Sequence, residues 1–160
     1  MKAGAEFDIK PFGIRAMDSM RLEKSYRLIP REMSIEYSAY ESGLDRFVRL
    51  DKEVDFIGKT ALAKWQDKGA SNGFVTLEVQ GVTDADARGS EAIYKDDEVG
   101  GRATSGGFGW RCNKSLALGL VKLELATIGT ELEIEILGEK HKAIVIEESP
   151  FDPANECLRA

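Results

Sequence analysis

Apolar positions recur at helical spacing in two stretches of the chain, then switch to alternation in its second half. Gly13 follows Pro11-Phe12, a stop signal, and Ile14, Met17 and Met20 then mark one helical face. Leu22 and Tyr26, four apart, extend that surface past the helix end. The second helical stretch covers residues 57–68, with Asp55 as its cap, Ile57, Ala61, Leu62 and Trp65 on one core-facing side, and Gly69 just beyond its C-terminus. From residue 74 the period drops to two. Strands are predicted over 74–79, 91–95, 116–121, 131–136 and 143–146, with turns at Asp96-Asp97 and Gly138-Glu139. The glycine-dense run 100–109 lacks the Lys-Ser/Thr ending of a phosphate loop, so its glycines are read as bulges and tight corners. Short strands joined by turns predict a compact antiparallel barrel or sandwich.

The first half is less regular. Residues 2–8 read as the last turns of a helix without an N-cap, so the chain is expected to begin inside an element, as a fragment. Pro30 separates the first helix from Met33–Tyr37, a short strand or extended loop. The polar stretch 68–73 is the best internal boundary, giving segments 1–69 and 73–160.

Composition narrows the chemistry. A net charge of −6 argues against general nucleic-acid binding. No apolar run is long enough to cross a bilayer. Cys112 and Cys157 are far apart and lack metal-ligand spacing; two reduced thiols fit the cytoplasm or a matrix-like reducing compartment. His141, between two lysines beside a turn, has no nucleophile or acid placed for it and is expected to face solvent. Metal chemistry finds no ligand cluster.

Against this background residues 15–31 form a basic patch, with Arg15, Arg21, Lys24, Arg27 and Arg31 against Asp18 and Glu23. Such a patch suits a small anionic ligand, or is a solvated helix face. Glu23, one carboxylate among cations beside an apolar surface, has the chemistry to accept a fork of two hydrogen bonds from an amidine-like edge, such as that of a pterin. Tyr26 adjoins it, and Tyr37, Tyr40 and Phe47 are near enough in sequence to form an aromatic wall. Ordinary core packing explains the aromatics equally, and Glu23 paired with Arg27 on its own helix explains the acid.

Arg21-Leu22-Glu23-Lys24 follows Gly13-Ile14-Arg15-Ala16-Met17-Asp18-Ser19, and three further stretches keep the same order: Tyr40–Leu44, Phe56–Lys59, and Val99-Gly100 with Thr104–Gly107 and Ser115–Leu118. This series resembles the C-terminal part of the glycine-cleavage T-protein (aminomethyltransferase) family, more closely the folate-binding region of dimethylglycine and sarcosine dehydrogenases. The resemblance implies an α+β fold: a remnant of the central folate-binding α/β domain followed by a small antiparallel β-barrel. It also puts an extended segment at Gly43–Val48. It implies one-carbon transfer to tetrahydrofolate, with Glu23 at the pterin edge and Tyr26, Tyr37, Arg49 and Lys52 as further folate-binding residues.

By position Lys52 stands where T-proteins carry an arginine; a lysine supplies a point charge rather than a planar fork. The family's catalytic aspartate belongs to an upstream half, so no catalytic residue is expected in this chain, and turnover is expected to need that half or a complementary subunit. In the dehydrogenase branch, FAD in an upstream domain oxidises the amine. Apolar surface left where that half docks points to self-association. The alternative is a non-catalytic binding or assembly module that keeps the barrel without the transferase chemistry.

Overall fold

The computed structural model describes residues 2–160; Met1, the first residue of the predicted first segment, lies outside them. Six strands, β1 (Asn72–Val79), β2 (Ala92–Lys95), β3 (Glu98–Gly109), β4 (Lys114–Lys122), β5 (Glu131–Ile136) and β6 (Glu139–Ile146), close into an antiparallel barrel in the order β1-β4-β3-β2-β5-β6. Ahead of it lie a 3-10 turn, Lys2–Phe7, helix α1 (Ile14–Glu23) and helix α2 (Lys59–Lys68). A final short helix, α3, spans Glu156–Arg159.

The barrel follows from its residue pattern. In β5, Leu132, Ile134 and Ile136 point inward while the intervening glutamates face out. Inward residues such as Leu77 and Ile93 are fully buried, each burial being worth about 1.5–3 kcal/mol. Two-residue turns close two hairpins. Asp96 and Asp97 have φ of 50° and 65°, and Leu137 and Gly138 of 52° and 85°, the left-handed geometry that matches strand twist. The second turn therefore lies one residue earlier than its sequence suggested.

Glycines serve close approach in β3. A Cβ at Gly106 would lie 2.3 Å from the Ala87 carbonyl oxygen, and one at Gly101 would lie 2.4 Å from that of Leu120. The register of β3 shifts between Ala103 and Ser105.

β4 is buried on both faces, as its unbroken apolar run requires. Ala117 and Val121 join the barrel interior, while Leu116 and Leu118 cluster with Leu22 of α1 on the outside. This outer cluster seats α1 on the barrel. Glu41 ties the intervening loop to β1: its carboxylate accepts the Ser38 N–H and hydroxyl and the Asn72 N–H and side-chain amide.

Several expectations are corrected. α1 buries Leu22 and Glu23, whereas Ile14, Met17 and Met20 are exposed, so the barrel leaves the helical stripe uncovered. α2 starts at Lys59 with Gly58, not Asp55, as its N-cap, and buries none of its residues. Ile57 is fully exposed and Trp65 is 46% exposed, so neither is core. Spacing sets which side chains share a face; it does not supply the surface that covers them. Gly43–Val48 is not extended: Gly43 has φ of 64° and Asp45–Phe47 form a 3-10 turn. Met33–Tyr37 forms turns rather than a strand. His141 is half-buried, because its register opposite Ile134 puts it on the inward side of β6.

Candidate functional site

The last turn of α1 meets the turn between β3 and β4, and Glu23 lies at that junction, 2% exposed. Its Oε1 accepts two consecutive backbone N–H groups, from Arg111 at 2.5 Å and Cys112 at 3.1 Å. Successive N–H groups of a turn form a small anion-binding concavity, and here it holds one carboxylate oxygen. Oε2 accepts no N–H or O–H bond from the described residues. The fork expected of Glu23 is thus half occupied by the protein itself. Burial pushes the Cys112 thiol pKa up, and the adjacent Glu23 carboxylate pushes it further, by its charge and as acceptor.

The backbone around Glu23 is fixed at several points. Its carbonyl accepts the Phe151 N–H at 3.0 Å, which anchors the C-terminal segment on α1. Ser25, in the left-handed region, pairs its hydroxyl with that of Thr76 at 2.7 Å and accepts the Ser149 N–H.

The neighbouring cations do not surround Glu23; each is turned to its own partners. Arg21 donates to Asp18 at 2.6 Å and to the Ser105 hydroxyl at 2.8 Å. Lys24 donates to the Phe151 and Asp152 carbonyls and to Asn155. Arg27 forms a two-toothed pair with Glu148, so Glu23 is not its partner.

Sequence reasoning did not single out Glu32, which is fully buried. Its Oε1 accepts the Thr104 and Ser105 hydroxyls at 2.6 and 2.5 Å, and its Oε2 accepts the Leu28 N–H at 2.8 Å with Arg21 Nη1 3.6 Å away. The signal available in sequence was the Thr104-Ser105 pair within a glycine-dense strand, whose hydroxyls need a buried acceptor.

The other expected site residues are dispersed. Tyr26 is 49% exposed. The Tyr37 hydroxyl accepts a bond from Arg102 Nε at 3.1 Å, and the Arg102 guanidinium lies 5.5 Å from its ring centroid. Phe47 is exposed, and the Tyr40 hydroxyl is sealed in without a partner among the described residues. No two of Tyr37, Tyr40 and Phe47 stack; the one ring pair in contact among the described residues is Phe108 with Trp110. Arg49 is paired with Asp51 at 2.7 Å, and Lys52 is exposed, its carbonyl accepting the Lys59 amine. Neither forms a hydrogen bond or ion pair with Glu23.

A groove of about 590 Å³ runs along α1 beside this junction. Ser19, Leu22, Arg31, Gly107, Phe108 and Trp110 are among its walls, and Ser19 donates to the Phe108 carbonyl at 2.6 Å. Glu23 is adjacent to the groove wall through Leu22 and is not itself a wall.

Residues 73–152 match the glycine cleavage T-protein C-terminal barrel domain, and residues 1–52 match the GCVT N-terminal domain. The chain is 39% identical over 148 residues to the mitochondrial dimethylglycine dehydrogenase of Homo sapiens, which covers 92% of this chain and 17% of that protein. It is 34% identical over 151 residues to the aminomethyltransferase of Bacillus cytotoxicus, covering 94% of this chain and 40% of that one. The solved glycine cleavage system aminomethyltransferase T of Bartonella henselae superposes with a TM-score of 0.82 at 25% identity, over 94% of this chain and 42% of that one. The chain thus spans less than half the length of these relatives. With its closed six-stranded barrel and the match of residues 73–152 to the family's barrel domain, it belongs to the glycine cleavage T-protein family.

Proposed function

We propose that this chain is the tetrahydrofolate-binding C-terminal portion of a one-carbon transferase, of the aminomethyltransferase or demethylating-dehydrogenase kind. The observation that carries the reading is Glu23: a carboxylate with one oxygen fixed by two backbone N–H groups and the other without an N–H or O–H donor among the described residues. An acceptor held in one orientation loses little freedom when a ligand donor arrives. The pterin edge of tetrahydrofolate supplies such a donor, and the adjacent groove offers space for the rest of a flat ligand. Tyr26, the other expected ligand on this segment, has half its surface free for contact. Arg49 and Lys52 are given no part, because Arg49 is paired with Asp51 and neither is linked to Glu23.

In this reading the residues of this chain bind and orient the folate. Proton transfer and capture of the one-carbon unit belong to groups of an upstream half or a complementary subunit. A flavin bound elsewhere would supply the oxidation in a dehydrogenase. Ile14, Met17 and Met20, exposed along α1, are the surface on which that half docks. The cytoplasm, or a mitochondrial-matrix-like compartment, is the matching location.

The test is calorimetric titration of tetrahydrofolate into the wild-type chain and Glu23→Gln. A hydrogen bond to a charged group contributes about 1.5–3 kcal/mol, so Glu23→Gln should weaken binding about 10- to 100-fold. Equal affinity in the two proteins would remove Glu23 from the site.

A further inference from the structure

We infer that Glu32 is a positioning residue for the Glu23 carboxylate. Glu32, Arg21 and Ser105 form a closed triangle: the Ser105 hydroxyl donates to Glu32 at 2.5 Å, Arg21 Nη2 donates to Ser105 at 2.8 Å, and Arg21 Nη1 lies 3.6 Å from Glu32. Glu32 is fully buried, and Thr104 and the Leu28 N–H occupy further acceptor positions on it.

The triangle acts on α1 through Arg21. That residue lies in the last turn of the helix, and its carbonyl accepts the Lys24 and Tyr26 N–H groups that end it. Two residues on, Glu23 reaches the turn at the far end of β3. The C-terminal half of α1 is therefore pinned along β3 at three places: the Phe108 carbonyl through Ser19, Ser105 through Glu32 and Arg21, and the Arg111–Cys112 turn through Glu23. Several pins along one strand fix rotation as well as distance. With the Glu32 pin released, Arg21 loses one of the restraints on the last turn of α1, and the bonds from Arg111 and Cys112 to Glu23 lose some of their alignment.

Glutamine is a poor substitute at position 32. It has one acceptor oxygen, so its amide either faces the Leu28 N–H, donor against donor, or turns toward the Thr104 and Ser105 hydroxyls and reverses the direction of both bonds. The inference rests on the reading of Glu23 as the folate ligand only for its functional consequence; the geometric coupling stands apart from it.

The experiment is amide hydrogen exchange on the full chain, with tetrahydrofolate titration in parallel. The variants are Glu32→Gln, Glu32→Asp, Ser105→Ala and Glu23→Gln. The Arg111 and Cys112 amides are compared with those of Ile134 and Val145, in β5 and β6. A general loss of stability raises exchange at all four together, whereas loss of positioning raises it at the first two alone. Glu32→Gln should speed exchange at Arg111 and Cys112 about tenfold relative to Ile134 and Val145, approaching the effect of Glu23→Gln, and should weaken folate binding about three- to tenfold. Glu32→Asp should restore part of both. Should Glu32→Gln fail to fold, Ser105→Ala removes two sides of the triangle, the bonds to Glu32 and to Arg21, and should give the same pattern. Unchanged ratios in a folded variant would overturn the inference even where folate binds through Glu23. Changed ratios with no folate binding by any protein would uphold it and reject the functional reading instead.

Discussion

The guanidinium of Arg27 lies 3.8 Å from the centroid of the Phe74 ring. The same side chain grips Glu148 with two nitrogens and donates to the carbonyls of Ser25, Ser42 and Gly43. One arginine so joins the end of α1, the 38–44 loop, β1 and the segment after β6. Its side chain is 5% exposed and that of Glu148 is 43% exposed, so the ion pair alone is worth little and the stacking and carbonyl bonds matter more.

Arg27→Ala should therefore lower the unfolding free energy by about 2–4 kcal/mol, since it strands buried carbonyls as well as removing the charge. Arg27→Lys should recover less than half of that, because an ammonium cannot stack or fork in the same way. Urea unfolding followed by Trp fluorescence measures both.

Cys112 should be the slow thiol of this chain. Its pKa is raised by burial and by Glu23, so at pH 8 less of it is thiolate than in an ordinary cysteine. Iodoacetamide labelling followed by mass spectrometry should modify the exposed Cys157 first. In Glu23→Gln the carboxylate charge is gone, and the Cys112 rate should rise several-fold.

Asp51 is expected to titrate at about 2, chiefly because Arg49 donates two hydrogen bonds to it. The value in the folded chain lies below that of the unfolded chain. Whatever stability the pair contributes is thus present above the ordinary Asp range and is lost as pH falls through about 2. Carboxyl NMR titration should show this low midpoint in the wild type and a return toward the ordinary value in Arg49→Gln. Folate affinity should be the same in both, because Arg49 is outside the proposed site.

Gly109→Ala should affect the site more than the fold. A Cβ there would lie 3.0 Å from Glu23 Cγ and 2.9 Å from Leu116 Cδ1, so both side chains must shift. The expected outcome is a loss of stability of about 1–3 kcal/mol, together with faster exchange at the Arg111 and Cys112 amides. Thermal unfolding and amide exchange report these separately.

These outcomes also mark what could be read from the residues alone. β5 was legible to the residue, because Leu132, Ile134 and Ile136 alternate with glutamates. Glu23 could be singled out, but not its partners: Arg111 and Cys112 are 88 and 89 residues away, and they contribute backbone N–H groups that no side-chain pattern encodes. Trp65 and Ile57 were misplaced for the opposite reason. Their spacing is that of a buried stripe, yet α2 has no covering surface among the described residues. Glu32 was not singled out, because only the folded β3 brings Thr104 and Ser105 onto it.

The central claim is that Glu23 offers its second oxygen to the pterin while the first stays with the β3–β4 turn. A crystal structure of the chain grown with excess tetrahydrofolate measures this directly. The account predicts a pterin nitrogen about 2.7–3.2 Å from Glu23 Oε2, with the Arg111 and Cys112 bonds to Oε1 intact. Folate bound elsewhere, with Oε2 facing only solvent or the Cys112 thiol, would contradict it.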